Sequence, residues 1–248
     1  MSGALALVGS GEYLPAMQEL ESSLLQNAVL QGKSNRYIQI PTAAGVEAPE
    51  RISFWQELGA EQAMRIGTQQ VFLPIFDREA AMKQEFADQI NDAALIYLSG
   101  GDPGYLACTL IDTPVWHAIE RAWNNGSSLA GCSAGAMALG DHIPNFFHPK
   151  KEGTAGLGVL GDVRTIPHYN KFFKWIPASA ARILLTAPPG TSVVGIDDLT
   201  ALVTGLSSDG EVSFENRSWR VHGDGKVHLL HGNNDSAKQF VHGEILSL

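Results

Sequence analysis

The chain alternates short apolar runs with longer stretches whose apolar residues recur at helical spacing. Residues 4–8, 37–40, 70–73, 94–98 and 128–131 are apolar runs of strand length with little polar alternation, the pattern of strands buried on both faces. Between them, 15–31, 48–66, 78–91 and 113–125 read as helices, and 134–139 reads as another directly after the last run. This rhythm predicts an α/β fold, a three-layer αβα arrangement with a mostly parallel sheet covered on both sides. Four runs end in turn chemistry, at Gly9-Ser10-Gly11, Pro41-Thr42, Gly100-Gly101-Asp102-Pro103 and Gly131-Cys132-Ser133. The carboxyl ends of the strands form the ligand crevice of such sheets, so these loops are expected to converge on one site.

Beyond residue 190 the pattern changes. Runs at 192–197, 200–204, 212–215, 219–222 and 226–230 are short and strand-like, and turns such as Asp209-Gly210 and Asp224-Gly225 between them read as hairpins. No Pro/Ser-rich linker intervenes. Residues 1–248 are therefore expected to form a single α/β domain, with 190–248 as an antiparallel, hairpin-rich β extension.

Composition narrows the functional classes. An apolar share of 44% with 26 glycines and 12 prolines matches an ordinary globular protein and excludes disordered or fibrous ones. Acidic residues outnumber basic ones, 26 to 17, and the resulting charge of −9 opposes binding to phosphate backbones, so nucleic acid is not an expected partner. Cys108 and Cys132 form neither a C-x-x-C motif nor a disulfide framework, which suits a reducing cytoplasm. The run at 4–8 lacks a preceding positive charge and reads as a strand, not a signal peptide. No stretch approaches the roughly 20 apolar residues of a membrane span, so a cytoplasmic protein without a membrane partner is expected.

Candidate chemistry concentrates at Gly131-Cys132-Ser133-Ala134-Gly135, a G-x-S-x-G sequence directly after a strand and before a helix. Small flanking residues let the chain turn sharply and lift the serine hydroxyl above the sheet edge, while the helix aims its first N–H groups at developing negative charge. A serine cap on a glycine-rich turn has similar composition, but the strand-turn-helix context favours a nucleophile. Such an elbow presents its central residue, so Ser133 is expected to face the crevice and Cys132 to be a small buried strand residue. The amide of Gly101 in the second glycine loop and that of Ala134 are the candidate oxyanion donors. Gly100, Asp102 and Pro103 of the same loop are the expected substrate contacts.

A serine nucleophile needs a base and an acid that orients it. Of eight histidines, His168 follows the strand-like run 163–166 and so is able to reach the strand-end crevice. Asp197 and Asp198 end another apolar run and offer two carboxylates for the third role, a pattern that equally suits a turn with solvated aspartates.

Taken together, these segments resemble the serine peptidases that include cyanophycinase and the aspartyl dipeptidases (dipeptidase E), built on a class I glutamine amidotransferase-like, flavodoxin-like fold. The resemblance runs to about Thr204 and rests on Gly9-Ser10-Gly11-Glu12, Ile40-Pro41-Thr42-Ala43, Phe54-Trp55-Gln56-Glu57-Leu58-Gly59, Gly100-Gly101-Asp102, Gly131-Cys132-Ser133-Ala134-Gly135-Ala136, Gly156-Leu157-Gly158, the His168 segment and Gly195-Ile196-Asp197-Asp198-Leu199-Thr200-Ala201. It implies a triad of Ser133, His168 and Asp198, the last standing where the cyanophycinase branch has a glutamate. It also implies hydrolysis of small peptides or isopeptides, with a small acidic or isoaspartyl-type peptide as the expected substrate and no metal or organic cofactor.

Two departures bear on specificity. Pro103 replaces a glutamine in the family's G-G-[DN]-Q turn, and Ile166-Pro167-His168-Tyr169 replaces a D-Q-H-F sequence, with Lys171, Lys174 and Arg182 where arginines are expected. The Asp-Arg polymer cyanophycin is therefore not the expected substrate. An esterase or acyl transferase with the same triad, and a catalytically idle binding protein of the same fold, are the rival readings. A homodimer is compatible with all of them.

Overall fold

The structure is a computed structural model and describes residues 2–145, 152–209, 212–230 and 238–248. The chain begins with β1 (Leu5–Val8), α1 (Gln18–Leu30), β2 (Ser34–Ile40), α2 (Pro49–Arg65) and β3 (Gln69–Phe72), in the expected order. The helix expected over 78–91 is two pieces, α3 (Arg78–Ala81), capped by the Asp77 carboxylate on the Ala80 amide, and α4 (Gln84–Ile90). Next come β4 (Ala93–Leu98), α5 (Pro103–Leu110), α6 (Pro114–Asn124), β5 (Ser128–Cys132) and α7 (Ala134–Ala138). Helix α5 occupies a stretch read from sequence only as a turn. Its start carries the usual signals, Asp102 accepting from the Tyr105 amide and proline at the first helical position.

A short antiparallel ribbon, β6 (His142–Ile143) and β7 (Thr154–Ala155), precedes β8 (Val163–Ile166), α8 (Tyr169–Trp175) and α9 (Ala178–Leu185). The chain ends with β9 (Ser192–Ile196), β10 (Thr200–Thr204), β11 (Ser218–Gly223), β12 (Val227–Leu230), β13 (Lys238–Phe240) and β14 (Ile245–Ser247).

The main sheet has eight strands in the order β14-β11-β10-β1-β5-β4-β2-β3. Strands β1, β5, β4, β2 and β3 are mutually parallel, and β10, β11 and β14 add antiparallel strands beyond β1. Alternate residues of one strand enter different cores: Leu5 and Leu7 pack with α4 and α6, whereas Ala6 and Val8 pack with α1. Both faces of the sheet are thus covered, which is why its central strands read as unbroken apolar runs.

The C-terminal strands are not simple hairpins. Strands β8, β9, β12 and β13 form a second, four-stranded sheet, so β9 and β10 lie in different sheets, as do β11 and β12. The Asp224-Gly225 turn carries the chain between sheets, and its amides bind the corner after β9: Asp224 N–H donates to Leu199 O and Gly225 N–H to Thr200 Oγ1. Residues 212–215 form no strand, because the Ser213 amide and hydroxyl are engaged with Asn216 in a local turn. Gly210 of the other expected hairpin turn lies outside the described residues. Among the described residues no helix is long and apolar enough to cross a membrane.

This topology assembles the site. Strands β8 and β9 are parallel, with Ile166 opposite Gly195, so the residues just past their carboxyl ends, His168 and Asp198, emerge side by side. Strand β10 returns antiparallel to β1 with Ala201 opposite Val8, which brings the Asp198 corner against the Gly9-Ser10 turn. Strand β5 runs parallel to β1, so Ser133 leaves the sheet at the same edge.

Candidate active site

Ser133 has φ 50° and ψ −107°, a backbone conformation that costs a non-glycine residue about 1–3 kcal/mol. The neighbouring packing holds it there. The Ser133 amide donates to Val8 O at 2.9 Å, and the Met137 amide donates to Ser133 O at 3.1 Å. Both motif glycines are sterically required. A Cβ at Gly131 would lie 2.6 Å from the Gly135 backbone, and one at Gly135 would lie 2.4 Å from Leu98 O, so α7 presses directly onto β5 and β4. Cys132 is fully buried, as expected from sequence, and burial followed by the nearby Glu12 carboxylate pushes its thiol well above the usual range.

Ser133 Oγ lies 3.0 Å from His168 Nε2, and His168 Nδ1 lies 2.7 Å from Asp198 Oδ1. His168 is itself in the left-handed region, φ 50° and ψ 36°, at the start of α8, which turns its ring back toward the serine. The residues that sequence brought forward as nucleophile, base and acid therefore form one continuous hydrogen-bonded chain. Asp197, the rival acid, faces elsewhere: its Oδ1 lies 3.1 Å from His228 Nε2 and its Oδ2 accepts the Lys226 amide. Of the other histidines, His117 is exposed on α6, and His148 and His231 lie outside the described residues.

Asp198 has partners that sequence did not bring forward. Ser10 Oγ–H donates to its Oδ1 at 2.6 Å, and the Lys171 ammonium lies 2.5 Å from its Oδ2. Burial raises the carboxyl pKa, but the bonds from Lys171, Ser10 and His168 outweigh it and lower the value to about 2. Asp198 is thus an anion at neutral pH. Lys171, read from sequence as a stand-in for a substrate-binding arginine, is instead engaged by the aspartate, one helical turn from His168 on α8. Lys174 on the same helix is exposed.

The glycine loop after β4 divides its amides. Gly100 N–H donates to Glu12 Oε1 at 2.9 Å, and the same carboxylate accepts the Cys132 thiol at 2.8 Å through Oε2. Glu12 thereby ties this loop to the elbow, and a Cβ at Gly100 would come within 3.4 Å of Ser133 Cβ. The sequence signal for this role was present, since Glu12 ends the Gly9-Ser10-Gly11-Glu12 turn, but nothing local showed its partners. The amides of Gly101 and Ala134, the candidate oxyanion donors, have no acceptor among the described residues. Gly101 adopts φ 141°, and a Cβ there would strike Ala43 O at 2.3 Å, so only glycine fits. Asp102 and Pro103 follow at the rim of a cavity of about 520 Å³ that reaches His168. One Asp102 oxygen caps α5.

Fold and site together define an α/β protein that carries a serine, a histidine and an aspartate in hydrogen-bonded series at a strand-to-helix turn. The profile of peptidase family S51 matches residues 5–208, and the chain belongs to that family of serine peptidases. It is 29% identical over 245 residues to a cyanophycinase of Trichormus variabilis, covering 92% of this chain and 73% of that protein. A cyanophycinase of Synechococcus elongatus is 28% identical over 194 residues, covering 73% of this chain and 55% of that protein. Among solved structures, a peptidase from an acI-B1 Actinobacterium is 51% identical, with a TM-score of 0.92 over 100% of this chain and 98% of that one. A putative peptidase E from Listeria monocytogenes EGD-e, at 23% identity and a TM-score of 0.59 over 82% of this chain and 94% of that one, shares the fold.

Proposed function

We propose that this protein hydrolyses peptide or isopeptide bonds of small peptides through an acyl-enzyme on Ser133. The observation that carries the reading is the unbroken chain Ser133 Oγ, His168 Nε2, His168 Nδ1 and Asp198 Oδ1, with steps of 3.0 and 2.7 Å. His168 takes the serine proton as Oγ attacks the carbonyl, then returns it to the leaving amine. Asp198, ionised and held by Ser10 and Lys171, keeps Nδ1 protonated and so leaves the Nε2 lone pair directed at the serine. The amides of Gly101 and Ala134 are the donors for the tetrahedral oxyanion. Water then repeats the sequence on the acyl-enzyme and frees Ser133. The Asp-Arg polymer is not expected to be a good substrate, because Pro103 and Pro167 at the cavity offer no side-chain donors to a carboxylate or acceptors to a guanidinium.

A fluorophosphonate is expected to label Ser133 in the wild type. Ser133→Ala is expected to escape labelling, keep the wild-type circular-dichroism spectrum and lose hydrolysis of a dipeptide and isopeptide panel by about 10⁴-fold or more. Full activity in that variant would move the nucleophile elsewhere.

A further inference from the structure

The cavity beside the triad has a largely apolar wall. Its walls include Met137 on α7, Ile143 on β6, Pro167 before His168, and Phe172, Trp175 and Ile176 on or just after α8. Its volume, about 520 Å³, suits a ligand of one or two amino-acid residues. Trp175 is 60% exposed, an unusual state for so large an apolar ring, and its ring centroid lies 5.6 Å from that of His168.

Among the described residues, the charged groups beside the cavity are already engaged within the protein. Asp102, at the rim, spends one carboxylate oxygen on the Tyr105 amide. The cation nearest to His168 in sequence, Lys171, is held by Asp198, so it is not a free partner for an acidic side chain. Among the described lining residues there is no lysine or arginine.

We infer that the cavity is a specificity pocket that accepts an aromatic or large aliphatic side chain next to the scissile bond. This departs from the acidic peptide expected by resemblance, and it rests on the reading of Ser133 as the nucleophile. The driving force is removal of apolar surface from water, worth about 1.5–3 kcal/mol for a fully buried Leu or Phe side chain, which corresponds to at least about tenfold in affinity. An Asp side chain placed there meets no cation among the described lining residues, and a Lys side chain meets only the Asp102 carboxylate, which already caps α5.

Gly104 supplies a clean test. It lies in α5 on the cavity wall, and a Cβ there makes only ordinary contacts, 3.4 Å to Asp102 Oδ1 and 3.6 Å to Thr154 Oγ1. The first carbon added by Gly104→Leu therefore fits without a backbone clash, and the rest of the side chain narrows the cavity at that wall. Affinities of N-acetylated dipeptides carrying Phe, Leu, Ala, Asp or Lys at either position are measured by calorimetry on Ser133→Ala protein, which binds without turnover. Phe and Leu peptides are expected to bind at least about tenfold more tightly than their Asp and Lys counterparts at one position. Adding Gly104→Leu is expected to reduce that preference severalfold while the Ala peptide still binds. Equal or tighter binding of Asp or Lys peptides, or a preference undiminished by Gly104→Leu, would overturn the assignment. Fluorophosphonate labelling of wild-type Ser133 reports separately on the nucleophile, so a failed mechanism and a failed pocket give different results.

Discussion

Asp197 and Asp198 are adjacent in sequence yet serve different histidines. Successive residues at the end of β9 point in opposite directions, so one carboxylate meets His228 and the other His168. Asp198→Asn is expected to lower kcat/KM by about two orders of magnitude less than His168→Ala, because an orienting acid tunes a base that still acts without it. Equal losses, measured on the best peptide of the panel, would give Asp198 a direct role. Lys171→Met is expected to raise the Asp198 pKa from about 2 toward the ordinary 3.8, since it removes the strongest interaction favouring the anion. A carbon-13 titration of the carboxyl, comparing wild type with the variant, measures the shift directly. The proposed nucleophile was legible in the sequence because its motif is contiguous. The places of Ser10 and Lys171 were hidden, because residues 10, 168, 171 and 198 meet only when two sheets come together.

At the scale of elements, the decisive contact is α7 against β5. The same glycines that let the chain turn also let the helix reach the strand without side chains between them, and the strained serine is held between those two elements. Gly131→Ala places a methyl 2.6 Å from the Gly135 backbone, where no flexible side chain is able to yield. The expected cost is about 1–3 kcal/mol of stability, as for overpacking in a tight core. Fluorophosphonate labelling is expected to slow as well, because the elbow moves relative to His168. Denaturant midpoints and labelling rates measure the two effects, and an unchanged pair would show that the close approach is not needed. Helix α5 was legible in principle from Asp102 and Pro103, but the glycines before them dominated the reading. The split of the C-terminal strands between sheets was not legible, since apolar runs separated by Asp-Gly turns look alike whether neighbours pair or diverge.

Across the whole molecule, two carboxyls give stability a defined dependence on pH. For Asp198 the folded pKa is depressed, so its stabilisation is complete above about 3.8 and is lost as pH falls toward about 2. Glu21, fully buried in α1 beneath the sheet, goes the other way: burial raises its pKa from 4.5 to about 8, although the Tyr13 amide donates to it. Between those values the folded state binds more protons than the unfolded chain, so this group makes stability fall as pH rises from 4.5 to 8. Glu21→Gln, which copies the protonated form, is expected to flatten that decline and to stabilise the protein most at the alkaline end. Urea unfolding across this window tests it, and an unchanged slope would show that Glu21 is not the source.

The sequence by itself determined the layered α/β architecture and the turn that carries Ser133, the proposed nucleophile. Both are local properties: apolar runs without alternation demand cover on two faces, and a glycine-serine-glycine turn between strand and helix permits one exposed hydroxyl. It also singled out His168 as the proposed base through the short strand before it. Tertiary structure alone decided which aspartate meets that histidine, what holds the aspartate ionised, how Glu12 couples the glycine loop to the elbow and how apolar the neighbouring cavity is. Each of these depends on the pairing of β8 with β9 and of β10 with β1, contacts between residues far apart in the chain, whose geometry no local pattern encodes.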